Sequence, residues 1–257
     1  MEFTCERLML GRFSALTENE HLARYRFAAR LVEGRRVADI ACGTGYGTQM
    51  LAKAGATCAL GMDISEDAIA FSQMNDGSPN ASYVTADAQK LTDISDGMFD
   101  LVVSFETIEH LPDVEAYLNE MARILRPGGT FLVSTPDRRI ASVLHVFLGH
   151  PQNPYHIREY TERELVELLS TRFEIRASYG QGFVQRWLVF WPVQFLIKAF
   201  CRALGPARGG KFRDDLYSNG ENIEVTLARS RSEIPKFWVI YCIRPETPIG
   251  EPTQIES

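Results

Sequence analysis

Three residues within one helical turn hold the most concentrated chemistry in this chain. Glu106, Glu109 and His110 stand at i, i+3 and i+4, just after an apolar run from Phe99 to Ser104 that reads as a buried strand. On a helix they would share one face. With His156 arriving from a loop, two carboxylates and two imidazoles make a donor set fit for a divalent ion. The same groups suit a second chemistry. Histidine titrates near neutral pH, so Glu109, His110 or His156 can take a proton from an acceptor hydroxyl. Blander readings stay open: His110 as a residue packed at a helix start, and His156 as a loop residue bonded to Glu159 or backbone. Tyr155 and Tyr160 read as pocket lining.

A second set of residues recurs at strand ends. Val37 to Ala41 reads as a strand, Gly43, Gly45 and Gly47 as a tight turn, and Thr48 to Lys53 as the helix that follows. Such a corner binds a nucleotide at the carboxyl end of the first strand of an open α/β sheet. The spacing is not that of a dinucleotide corner, and Asp39 just before the turn would repel a diphosphate. A carboxylate there suits a cationic ligand, such as the ammonium and sulfonium of S-adenosylmethionine (SAM). Asp63 ends a second strand, Ala56 to Met62, and can accept both hydroxyls of an adenosine ribose. A third strand, Ala81 to Thr85, ends at Ala86-Asp87-Ala88. Asp87 can take the adenine amine there, or serve only as an N-cap.

The elements that position these groups alternate between strand and helix. Thr17 to Leu31 has mostly helical apolar spacing, and Thr17 with Glu20 forms a capping-box pattern. Arg24 on that helix is either a clamp for a ligand carboxylate or a solvated face residue. Ser65 caps a helix from Glu66 to Met74. Another runs from Asp113 to Leu125, stops at Arg126-Pro127-Gly128-Gly129, and leads to a fifth strand, Thr130 to Ser134. The alternation predicts a parallel sheet with right-handed crossovers. Phe173 to Tyr179 and Phe237 to Ile243 are the last two strands. The span between them, about 181–234, is too long for a hairpin loop and reads as a cap over the acceptor pocket.

Within that span, Trp187 to Ile197 is uncharged and apolar, interrupted by Pro192 and flanked by Arg186 and Lys198. It is too short to cross a bilayer. It reads as a packed cap helix, a homodimer contact, or a peripheral contact with a membrane. Ala207 to Arg213 is basic and glycine-rich, and reads as a solvated loop or a contact for acceptor phosphate.

Composition narrows the class. The 257 residues form one domain, with a frayed tail at 245–257, and the net charge of −6 argues against nucleic acid. The five scattered cysteines show no metal or disulfide spacing, which fits a reducing cytoplasm. Glu2 and Glu6 at the start, with no apolar run behind a cationic region, predict no signal peptide.

The strand-end acids, followed by Glu109-His110-Leu111-Pro112 and Leu125-Arg126-Pro127-Gly128-Gly129, resemble the class I SAM-dependent methyltransferases over Glu18 to about Ser134. Glu20 to Ala29, ahead of Val37 to Gly43, is similar to methyltransferases found beside bacterial glycan-assembly genes. Ser134 to Arg138 and Asn153 to Thr161 fit that group too. There is a looser similarity to ubiquinone-pathway O-methyltransferases. The Glu106/Glu109/His110 pattern is similar to the metal site of those enzymes and of small-RNA 2′-O-methyltransferases, but relatives without metal share it, so a metal is not favoured.

The resemblance implies a doubly wound, seven-stranded, mostly parallel α/β sheet, its last strand antiparallel, with SAM across the carboxyl ends of strands one to four. By motif, Arg24, Ala41, Gly43, Asp63 and Phe105 would contact SAM, and Asp39, Gly45, Ile64, Asp87 and Ala88 complete the expected set. The activity implied is methyl transfer to an oxygen, less readily a nitrogen, of a sugar, glycan or small metabolite. Alternatives are a quinone-type phenol or lipid-linked acceptor at a membrane surface, or a SAM-binding subunit without catalysis.

Overall fold

The computed structural model describes residues 15–141, 153–185, 188, 190–205, 208–209, 224–227, 233–247 and 249. Helix α1 (Ala15–Ala29) leads into β1 (Arg36–Ile40), α2 (Tyr46–Lys53), β2 (Cys58–Asp63), α3 (Glu66–Asn75), β3 (Ala81–Thr85) and β4 (Phe99–Phe105). A single 3-10 turn (Ile108–His110) precedes α4 (Val114–Ile124), β5 (Leu125–Pro136) and the short α5 (Arg138–Ala141). The chain continues through α6 (Glu162–Leu169), β6 (Glu174–Gln185), α7 (Trp191–Leu204), β7 (Thr226–Leu227) and β8 (Glu233–Ile243).

The strands form one sheet in the order β3-β2-β1-β4-β5-β8-β6-β7. Strands β1 to β5 pair in parallel, and β8 lies antiparallel between β5 and β6. The expected seven strands are therefore eight, because two-residue β7 adds to the edge of β6 through Tyr179 and Gly180. A strand that short carries no apolar run by which a sequence would betray it.

Alternation of side chains divides the core. Ala38 and Ile40 of β1 and Val102 of β4 face α4 and α6, packing on Tyr117, Leu118, Leu165 and Leu169. Val37, Leu101 and Val103 face α1 and α2, packing on Tyr25, Ala28 and Leu51. Both faces of the sheet are covered, so β1 and β4 read as nearly continuous apolar runs.

Local chemistry sets several helix ends. The Ser65 hydroxyl accepts from Ala68 N, and the Asp113 carboxylate from Ala116 N. Thr161 and Glu164 form a reciprocal capping box at α6. The expected box at Thr17 does not form, since α1 is already helical from Ala15. Pro192 does not interrupt its apolar stretch. It sits in the first turn of α7, where a missing N–H costs nothing. Strand β6 extends to Gln185 and β8 starts at Glu233, so both ends of the expected cap belong to the sheet. Trp187, most of Ala207 to Arg213 and residues 250–257 lie outside the described residues.

Candidate functional site

The strand order reverses direction between β1 and β4, the place where open α/β sheets bind ligands. Two residues there adopt left-handed backbone without being glycine: Ala41 after β1 (φ 56°) and Glu106 after β4 (φ 53°). Side chains rarely hold that conformation, and it recurs where a turn must bring backbone up to a ligand. Both line a cavity of about 440 Å³ that also takes in Gly43, Asp63, Phe105 and His110.

Asp63 closes the floor of this cavity. One carboxylate oxygen accepts from Gly43 N and the other from Ser65 N, each at 2.9 Å. The carboxylate thereby ties the glycine turn to the start of α3. Ile64, beside it, is 65 % exposed and offers an apolar wall. Asp87 and Ala88 line the far side. Asp87 caps no helix; its carboxylate accepts from Gln89 N in a local turn.

Asp39 lies beneath the cavity rather than on it. It is fully buried, accepting from the Tyr25 hydroxyl at 3.0 Å and the Thr48 hydroxyl at 2.6 Å. Burial pushes its carboxyl up to about 7, against the lowering effect of those two hydrogen bonds. Between its ordinary value of 3.8 and about 7 the folded chain holds a proton that the unfolded chain has released. Stability from this group is therefore full below pH 4 and falls as the pH rises towards 7. Asp39→Asn should flatten that part of the stability profile, read by urea denaturation of both proteins at pH 5 and pH 8.

Gly45 and Gly47 serve packing more than ligand approach. Gly45 (φ 78°) would drive a Cβ to 2.6 Å from Ser72 Oγ, and a Cβ on Gly47 would meet the Tyr25 ring at 2.0 Å. Tyr25 thus seats α1 against α2, and its ring meets Phe105 edge-on at 5.2 Å. Neither Tyr25 nor Thr48 stands out in the sequence, because their partner is Asp39 on another element.

Arg24 is also buried. Its Nη1 donates to Gln181 Oε1 at 2.6 Å and its guanidinium lies over the Phe237 ring at 4.5 Å, so β6 and β8 hold it beside the cavity-lining residues His21 and Tyr25. Its Nε and Nη2 find no hydrogen-bond partner. Two unmet donors on a buried cation are costly, and an anionic group would relieve them.

At the rim, Glu109, His110 and His156 bring one ligand atom each to within 4.8 Å of one another. Glu106 stays outside this group. Its left-handed backbone breaks the helical face, and its carboxylate accepts from the Ser134 hydroxyl at 2.7 Å. His110 Nδ1 lies 3.1 Å from the Tyr155 carbonyl and His156 Nδ1 lies 2.8 Å from Glu159 Oε1. Both partners accept, so each Nδ1 carries the proton and each Nε2 is the basic nitrogen. The two rings meet edge to face at 4.9 Å. Glu109 accepts from the Thr135 hydroxyl through Oε2, while buried Oε1 has no hydrogen bond. Burial, then the Glu106 carboxylate, push the Glu109 carboxyl well above the usual range. Of the three, only His110 lines the cavity.

Fold and cavity together define a nucleotide-binding α/β protein of the open-sheet kind. Residues 38–133 match the family model described as "Methyltransferase domain". A probable S-adenosylmethionine-dependent methyltransferase of Mycolicibacterium smegmatis is 37% identical over 161 residues, covering 62% of this chain and 60% of that protein. A ubiquinone biosynthesis O-methyltransferase of Rhizobium johnstonii is 31% identical over 179 residues, covering 64% of this chain and 70% of its own. The chain spans 60% and 49% of the lengths of the first two curated relatives. Among solved structures, a S-adenosylmethionine dependent methyltransferase from Mesorhizobium loti aligns with TM-score 0.58 at 20% identity, covering 89% of this chain and 100% of that one. A putative methyltransferase in complex with the Trm112 activator of Haloferax volcanii aligns with TM-score 0.61 at 18% identity, over 89% and 91%. This chain belongs to the SAM-dependent methyltransferases.

Proposed function

We propose that the chain transfers a methyl group from SAM to an oxygen of a small acceptor. One observation carries the reading: a cavity at the sheet's switch point has a carboxylate floor at Asp63 and an oriented imidazole, His110, on its wall. Asp63 would hold the ribose hydroxyls, Ile64, Asp87 and Ala88 the adenine, and Ala41, Gly43 and Phe105 the remainder of the donor. Arg24, with two unmet guanidinium nitrogens, would take the carboxylate. Bound there, SAM would supply an electrophilic methyl to the acceptor oxygen, with the electron pair of the C–S bond left on sulfur.

The protein must orient the acceptor and receive its proton. His110 Nε2 would accept it, with Glu109 Oε1 3.9 Å from that nitrogen, the His156 ring edge to face with His110, and Glu159 fixing the His156 tautomer. The acceptor would be a sugar, glycan or small metabolite, with the whole chain acting as one domain. The quinone-type phenol is favoured by the names of several relatives. Incubation with methyl-labelled SAM and a fractionated cell extract tests the reading. A labelled product is expected. SAM uptake without any labelled product would assign a non-catalytic binding role.

The convergence of Glu109, His110 and His156 favours a second reading, in which they hold a divalent cation that polarises the acceptor oxygen. We expect turnover after EDTA dialysis to stay within about twofold of the untreated protein, since proton transfer to His110 needs no ion. A tenfold or larger loss, restored by Mg²⁺ or Mn²⁺, would give the cluster to a metal.

A further inference from the structure

Helix α7 carries an apolar surface that the site does not use. Phe195 and Leu196 on it are 62 % and 67 % exposed, and Phe190 at its N-cap is 59 % exposed. Ala199 and Ala203 continue the exposed side. No described helix or strand packs along its length. It is also too short to cross a membrane, as is every described helix.

Charge selects the occupant of this surface. The chain has a net charge of −6, yet residues 186–213 contain Arg186, Lys198, Arg202, Arg208, Lys211 and Arg213 and no Asp or Glu. Arg202 and Arg208 are exposed. Two copies meeting through this helix would bring like charges together, which disfavours a symmetric dimer there. An apolar side with basic flanks is the pattern of a helix lying in a bilayer interface.

Topology puts the helix on the site's side of the sheet. Gln181 of β6 is level with Phe237, which is level with Pro136 at the carboxyl end of β5. Strand β6 runs four residues further, to Gln185 paired with Glu233, so it projects about 13 Å past that edge before α7 begins. We infer that α7 docks this protein on an anionic lipid surface, with the carboxyl edge of the sheet turned towards the bilayer. The consequence for chemistry, an amphipathic or lipid-linked acceptor, rests on the methyltransferase reading; the lipid contact does not.

Vesicle co-sedimentation tests it, using phosphatidylcholine vesicles with and without 30 mol% phosphatidylglycerol. The wild-type chain should bind the anionic vesicles and release at high salt. Phe195→Ser with Leu196→Ser should lower partitioning about tenfold or more. Arg202→Glu with Arg208→Glu should remove the preference for anionic lipid. All four side chains are exposed, so both variants should melt like wild type and keep wild-type SAM affinity by calorimetry. Failure of the wild-type chain to bind either vesicle would overturn the inference, as would unchanged binding by both variants. So would light scattering that shows a dimer dissociating in the Phe195/Leu196 variant. Each of those results leaves SAM binding intact, and so separates this failure from that of the proposed activity.

Discussion

Replacing Asp63 by alanine should abolish SAM binding, with affinity falling about 100-fold or more. The carboxylate has two roles at once. It anchors the glycine turn through Gly43 N and the start of α3 through Ser65 N, and on the proposed reading it would also accept from the ribose hydroxyls. Each hydrogen bond to a charged group is worth roughly 1.5–3 kcal/mol, and losing two ligand contacts costs about 3 kcal/mol or more. Asp63→Asn retains one acceptor oxygen and should lose less. Calorimetry on the three proteins checks this, with thermal melts to show that the variants fold. Unchanged affinity in the alanine variant would remove Asp63 from the donor site.

The second large effect separates binding from chemistry. His110→Ala should lower kcat by about 10²–10⁴-fold, the usual span for a lost general base, while SAM affinity stays within about threefold. The separation follows from position: His110 stands on the cavity wall after β4, whereas Asp63 and Gly43 come from β2 and the β1 turn. His110→Gln keeps a hydrogen-bonding side chain and should recover little, since an amide cannot accept the proton. Single-turnover rates with pre-bound SAM make the measurement independent of KM. A wild-type rate in His110→Ala would move proton transfer to His156 or make a base unnecessary.

What the sequence disclosed depended on how far each interaction reaches along the chain. Ser65 caps the residue three positions on, so its role is local and legible. The strands β1 and β4 are buried on both faces and announce themselves as apolar runs. Asp39 is the opposite case. Its place in the sequence suggests a carboxylate facing the ligand, but Tyr25 from α1 and Thr48 from α2 converge on it, and only the folded chain shows that. Glu106 departs from the shared face for a backbone reason. Letters at i, i+3 and i+4 share a face only if the segment is helical, and a left-handed residue at the start of the segment turns Glu106 away. Thr17 resembled a cap because capping letters also occur inside helices. The sequence allows Arg24 to be a carboxylate clamp or a solvated face residue; the folded chain buries it, and its hydrogen bond to Gln181, 157 residues away, is visible from neither residue alone. The acceptor side stays least legible, because the span from β6 to β8 lacks the strand-end acids of the first half, and its apolar run, Trp187 to Ile197, fits a packed helix, a dimer contact or a membrane contact alike.

Titration calorimetry of the purified chain with SAM, its demethylated product and NAD is the most direct measurement on the donor cavity. The structure predicts one equivalent of SAM or of the demethylated compound taken up per chain, and no uptake of NAD, whose diphosphate would face the Asp63 carboxylate at the glycine turn. Saturable NAD binding, or no heat from either adenosyl compound, would contradict it.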